Sequence, residues 1–281
     1  MNPAALAGFM IVGLAVGFTA GLVGIGGGVL MVPFLYFVYD NMAATLGPGW
    51  VFAGDLHATV AHATSLFVIV PTAAFGAWSY NRSGLVSWRT ALPIGAFSVP
   101  GGILGANVAI LLPAAVLKLA FGVFLLITAA QLTRERDRTV DRPLRLSLRV
   151  TIPIGIVVGI FSALLGVGGG LVAIPLMLYI VGLPIEKVAA TSLAVIVFAA
   201  SAGTVTYMIG GAGHGGLPTG SMGYVHVIAG LPLMIGSLVT VRLGARVNQA
   251  MNVKTLRTVF AILLVLVGLR LVVQSFVQVG V

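Results

Sequence analysis

Stretches without a single Asp, Glu, Lys or Arg dominate the chain: residues 1–39, 56–81, 90–117, 119–133, 150–185 and 188–241. Most exceed the roughly 20 apolar residues that a helix needs to cross a bilayer. Polar positions, prolines and glycines divide them into ten apolar segments, near 4–23, 28–39, 56–80, 88–111 and 114–133, then 149–165, 170–182, 187–209, 222–248 and 254–279. The pattern predicts an all-α polytopic membrane protein. The first segment has no basic start, and glycines rather than a small-residue cleavage site interrupt it, so it reads as mature structure and not as a removed signal.

The five segments of each group correspond. "GLVGIGGG" from Gly21 returns as "ALLGVGGG" from Ala163, which sets Gly24 on Gly166, Gly26 on Gly168, Gly27 on Gly169, Gly28 on Gly170 and Pro33 on Pro175. "ATSL" at Ala63 returns at Ala190, Gly76 and Tyr80 match Gly203 and Tyr207, and Pro93 and Gly105 match Pro232 and Gly244. The chain therefore reads as a tandem duplication: residues 1–133 form one repeat and 150–281 the other, and a basic cytoplasmic linker, 134–149, joins them.

Five is odd, so a second repeat of five crossings enters the bilayer upside down relative to the first. The charges of the loops agree. "NRSGLVSWR" carries Arg82 and Arg89, whereas its counterpart "GGAGHGGLPTGSMG" carries no Lys or Arg; the next loop reverses the bias, with Arg242, Arg246, Lys254 and Arg257 in the second half only. Bases collect on the cytoplasmic side, which puts both termini outside. If the short second segments are re-entrant, the count falls from ten crossings to about eight and the inversion survives. Inverted repeats with interrupted helices are the usual construction of secondary transporters.

Composition adds exclusions. Hydrophobic residues make up 59% of the chain and charged residues 7%, against about 25% charged in a soluble domain. The net charge of +9 is confined to loops, where it serves orientation in the lipid bilayer and not nucleic acid. Without cysteine there is no disulfide or thiolate chemistry. Six acidic residues, mostly in loops, are poor material for a catalytic constellation, so the chain reads as no enzyme, with no cofactor.

Four glycines within five residues, followed by Pro33 or Pro175, weaken any continuous helix. Glycine also lets membrane helices pack closely. The break is the more informative reading, because the half-helix that follows it presents free N–H groups and a positive dipole end to an anion. Two inverted copies bring glycine-broken helices together at the repeat interface, as a site for a small oxyanion built from Gly24, Gly26, Gly27 and Gly28 with Gly166, Gly168, Gly169 and Gly170. The spacing is no nucleotide fingerprint. Thr64, Ser65, Thr191 and Ser192 of the two "ATSL" motifs either cap their helices or donate to the same anion. Asp55, His57 and His62 stand before and at the start of the third segment. His57 and His62 lie five apart, which does not suit a helical metal pair, so no metal is expected; the alternatives are a coupled proton or a polar interfacial loop. Lys118, like Arg242 and Arg246, reads as headgroup snorkelling or substrate attraction, His214 and His226 as loop or interface residues, and Trp78, Trp88, Tyr80 and Tyr207 as interfacial anchors, although Tyr80 and Tyr207 match and could face a cavity.

"AGLVGIGGGVLMVPFL" and "SALLGVGGGLVAIPLM", each followed by an "ATS" segment, resemble the TauE/SafE sulfite exporter family over nearly the whole chain. The resemblance implies a bacterial cytoplasmic membrane transporter of sulfite, sulfonates or related sulfur-containing anions, and export is the family's usual attribution. The alternatives are a passive anion channel, for which no uninterrupted polar lining is visible, and a membrane permease for another small anion. "GPGWVFAGDLHATVAH" in the first half and the His214 loop in the second have no counterparts.

Overall fold

The computed structural model describes residues 3–50, 52, 55–134, 144, 146–250, 261, 262 and 264–273. Most of the linker expected at 134–149, and all of the last segment except 261, 262 and 264–273, lie outside the described residues. The described chain is helical apart from one two-stranded ribbon. The first half supplies α1 (Pro3–Val23), α2 (Gly28–Phe37) with a π-helical continuation Val38–Met42, the short α3 (Ala43–Leu46), α4 (His57–Asn81), α5 (Trp88–Leu111) and α6 (Ala114–Arg134). The second supplies α7 (Leu148–Leu165), α8 (Gly170–Leu176) with its own π-helical continuation Met177–Val181, and α9 (Ile185–Gly210). The ribbon β1 (Ser221–Met222) and β2 (Val225–His226) follows, then α10 (Val227–Ala250) and α11 (Leu264–Val273).

Among the described residues six helices are long and apolar enough to cross a membrane: Ala5–Val23 within α1, then α4, α5, α7, α9 and α10. The half-helices are not. At about 1.5 Å per residue, the ten residues of α2 rise about 15 Å, half of a hydrocarbon core of about 30 Å.

Hydrophobicity does not drive one apolar helix onto another in lipid, so close backbone approach must do so. α1 supplies it with Gly13, Gly17 and Gly21, where an added Cβ would lie 2.4, 2.0 and 2.0 Å from the carbonyl oxygens of Leu233, Ser237 and Val241 on α10. α10 answers with Gly236 and Gly244, equally close to Met10 and Phe18. The same contact recurs between α7 and α5, where Gly155 and Gly159 meet the carbonyls of Ile94 and Ser98, and Gly101 and Gly105 meet those of Ile156 and Ile160. Each pair takes one helix from either half of the chain, so the first helix of each half packs on the other half. α4 and α9 pack against each other, with Gly76 under Leu193 and Gly203 under Leu66.

Gly17→Leu should force α1 off α10 and destabilise the protein by about 1–3 kcal/mol or more. Gly8→Leu, at a position with nothing within 4 Å, should leave stability unchanged. Thermal unfolding of the detergent-solubilised variants checks both.

Candidate functional site

Both glycine clusters interrupt their helices. Gly24, Gly26 and Gly27 take φ of 77°, 85° and 78°, and Gly166, Gly168 and Gly169 take 67°, 85° and 82°. These are left-handed conformations that residues with a side chain rarely adopt. Gly27 and Gly169 stand immediately before the half-helices, and Gly27 O receives the first helical bonds of α2, from Leu30 N at 3.2 Å and Met31 N at 3.3 Å. Gly169 O does the same for Val172 and Ala173. The amides of Gly28 and Val29, and of Gly170 and Leu171, come before the first acceptor and have no partner within their own helix.

The two loops cross in contact. A Cβ on Gly28 would lie 2.6 Å from Val167 Cα and 2.7 Å from Gly166 O, and one on Gly170 would lie 2.5 Å from Ile25 Cα. Ile69 of α4 and Ile196 of α9, matching positions of the two halves, both reach Gly26 and Gly168 and close the crossing with apolar surface. Tyrosines brace it from behind. Tyr80 donates to Gly21 O at 2.8 Å and Tyr207 to Ala163 O at 2.9 Å, each just before a glycine break. Both rings are fully buried, so they are struts of the core and not the interfacial anchors their positions suggested.

The "ATSL" hydroxyls gather around the same centre. Thr64 Oγ1 accepts from His226 N at 2.9 Å and Thr191 Oγ1 from Ser87 N at 3.1 Å, so each ties its helix to the start of the next long helix of the opposite half. An accepting bond leaves the Thr191 proton available to a further acceptor, whereas the Thr64 hydroxyl also bonds the Tyr39 hydroxyl. Ser65 spends its proton on Gly166 O at 2.7 Å, which binds α4 to the second glycine loop. Ser192, its counterpart, is buried and makes no hydrogen bond.

The polar residues of the first half separate into two groups. Asp55 accepts from Ala114 N at 2.7 Å, which caps α6, and its other oxygen lies 3.4 Å from His57 Nε2. His62 is not with them: it is fully buried against Gly166 and hydrogen-bonded to the Tyr36 hydroxyl. Sequence reasoning missed the residues between. Lys118 is fully buried, not snorkelling, with Nζ 2.7 Å from Asp40 Oδ2 and 5.4 Å from the centre of the Tyr36 ring. Asp40 Oδ1 in turn lies 3.6 Å from His57 Nε2. A lone lysine in an apolar segment was the available signal, because an ionisable group at membrane depth is a functional candidate by default. His226 is also buried, bonded through Nδ1 to the Tyr39 hydroxyl at 3.2 Å, whereas His214 is exposed. Among the described residues no group of three His, Cys, Asp or Glu is arranged to hold a metal ion.

Broken helices meeting inside a bundle of apolar helices, with polar side chains collected around the break, define a multi-pass membrane protein built for transport. Residues 9–271 match the family model described as Sulfite exporter TauE/SafE. The chain belongs to that family. It is 29% identical over 266 residues to a probable membrane transporter protein of Methanocaldococcus jannaschii, covering 92% of each chain. It is 28% identical over 284 residues to the probable membrane transporter YunE of Bacillus subtilis, covering 95% of this chain and 97% of that one. A third relative, the probable membrane transporter MamO of Magnetospirillum gryphiswaldense, is 25% identical over 302 residues, 94% of this chain and 44% of that protein. No solved structure matches.

Lys118→Met should destabilise the fold by about 3–5 kcal/mol, because it strips a buried carboxylate of its ammonium partner. The double variant Lys118→Met/Asp40→Leu should recover more than half of that loss, read from the same unfolding curves.

Proposed function

We propose that this chain is a secondary transporter of small sulfur-containing anions, sulfite, sulfonates or related organosulfur anions, exported across a bacterial cytoplasmic membrane by alternating access. The observation that carries the reading is the contact crossing of two left-handed glycine loops, each opening a half-helix, one from either half of the chain. In this reading the halves, 1–133 and 150–281, are inverted repeats on either side of the basic cytoplasmic linker, and both termini lie outside. The stacking of Arg82 and Arg242 on one indole, Trp78, supports a shared basic end, with guanidinium carbons 4.2 and 5.5 Å from the ring centre.

The anion is held where the half-helices begin, by Gly24 and Gly26 to Gly28 on one side and by Gly166 and Gly168 to Gly170 on the other. The amides of Gly28, Val29, Gly170 and Leu171, which have no partner within their own helices, and the positive ends of those helices supply the attraction, whereas Gly24 and Gly166 shape the turns with their amides bonded to Ala20 O and Ser162 O. Thr191 retains a proton to donate, Thr64 can donate once it is released from Tyr39, and Ser192, buried without a partner, is the best placed hydroxyl. Ser65 positions the second loop. Ile69 and Ile196 seal the crossing, and rocking one half against the other lifts a loop off its partner and opens the site to one side. A proton is the coupling ion, with Asp55, His57 and His62 as its carriers.

The direct test is flux from proteoliposomes of sulfite, thiosulfate, taurine, sulfate and chloride. Transport of sulfite, thiosulfate and the sulfonate taurine above sulfate and chloride is the expected result, and equal passage of every probe would make the protein a passive pore. Ser192→Ala should keep or slightly raise thermal stability, because it removes a buried hydroxyl with no partner. It should also weaken apparent affinity for the transported anion by about tenfold, the worth of one hydrogen bond to a charged group. Unchanged affinity would remove Ser192 from the site.

A further inference from the structure

Two arginines, one from either half of the chain, share one indole. Trp78 lies near the end of α4, Arg82 is the residue that ends it, and Arg242 lies on α10, with the guanidinium carbons of Arg82 and Arg242 at 4.2 and 5.5 Å from the Trp78 ring centre. The two helices lead there side by side, through the hydrogen bond between the Thr72 and Ser237 hydroxyls and through Gly76, which faces Val241. Trp78 and Arg82 are exposed and Arg242 is half-buried, so the pair opens on the surface of the bundle.

Like charges brought onto one ring repel, the π face offsets part of that repulsion, and an anion beside them removes the rest. The chain has few carboxylates to supply, 6 Asp and Glu against 15 Lys and Arg. Asp40 and Asp55 stand beside His57, at the far end of α4. Glu135, Asp137 and Asp141 are set among the six arginines of the linker, and Glu186 is followed by Lys187. Bases are thus in excess at this end, whichever carboxylate approaches it. Ile235, Val239, Arg242 and Arg246 follow one another at helical spacing on one face of α10, and Ile235 and Val239 are exposed. From Ile235 to Arg246 the helix rises about 16 Å, the depth of one leaflet of a hydrocarbon core of about 30 Å. A face that is apolar for that depth and basic at its end matches a phospholipid, whereas a free phosphate or sulfate calls for the basic end alone.

We propose that Arg82 and Arg242, held in place by Trp78, bind the headgroup phosphate of an anionic phospholipid whose acyl chains lie along Ile235 and Val239 of α10. Arginine suits the task, because its planar fork meets two phosphate oxygens at once. The bound phosphate ties the end of α4 to α10 at the level of the headgroups. α4 is the helix that carries Thr64, Ser65 and Ile69 to the loop crossing, so the lipid steadies one wall of that centre from the end of the helix. The site requires a bilayer and does not require that the protein transport a sulfur anion.

Native mass spectrometry of the full chain in detergent, titrated separately with phosphatidylglycerol, phosphatidylcholine and inorganic phosphate, tests the site. Wild type should bind one phosphatidylglycerol about tenfold more tightly than phosphatidylcholine, the worth of one hydrogen bond to a charged group. Arg82→Gln and Arg242→Gln, which approach the site from opposite halves, should each lose that preference. Arg89→Gln, which removes an exposed base at the start of α5, should keep it, and so separates a site from the general attraction of a basic surface for an anionic lipid. Arg82 is exposed, so its variant keeps the fold, which an unchanged unfolding midpoint without lipid checks. Equal binding of the two lipids by wild type, equal loss in Arg82→Gln and Arg89→Gln, or a preference for inorganic phosphate over either lipid overturns the assignment. A second copy of the chain that covers the face and excludes lipid overturns it as well.

Discussion

At the centre of the molecule the backbone of one glycine loop occupies the space that side chains on the other would need. Gly28 faces Val167 and Gly166, and Gly170 faces Ile25, at separations that admit no Cβ, and the turns that bring them there have positive φ. Backbone without helical bonds is tolerated inside a membrane only where protein buries it or a cavity receives it. The surrounding elements serve that requirement. Ile69 and Ile196 cover the crossing, Tyr80 and Tyr207 hold the helix ends that enter it, and Ser65 fastens Gly166 to α4.

The long helices form a frame around this centre. α1 on α10 and α7 on α5 are joined through glycines at carbonyl contact, so each half holds the first helix of the other. Thr64 and Thr191 repeat the exchange at the starts of α10 and α5. Against so regular a frame the departures carry meaning. His62 stands where the other half has Ala189, and Asp40, paired with the buried Lys118, stands where the other half has Gly182.

Much of this was legible in the sequence, because spacing and composition carry it. The apolar segments, the breaks at Gly24–Gly28 and Gly166–Gly170, and the pairing of Tyr80 with Tyr207 all follow from reading one half against the other. What could not be read is which faces meet. A glycine at Gly17 looks the same whether its neighbour is α10 or lipid, and Lys118 near a segment end looks like a snorkelling lysine until α2 brings Asp40 against it. Asp40 itself was hidden by its place between the half-helix and a loop. The roles of Tyr80 and Tyr207 were misread for the same reason, since an aromatic residue near the end of a segment marks the interface unless a carbonyl from another helix waits for its hydroxyl.

The central claim is that the two glycine loops separate during each transport cycle. The chain has no cysteine, so Ile69→Cys/Ile196→Cys places the only two thiols of the protein on either side of the crossing. Flux of thiosulfate from proteoliposomes, measured before and after cross-linking with a short, cleavable thiol reagent and again after cleavage, tests the claim. The account predicts flux that stops on cross-linking and returns on cleavage. Undiminished flux through a fully cross-linked protein would contradict it.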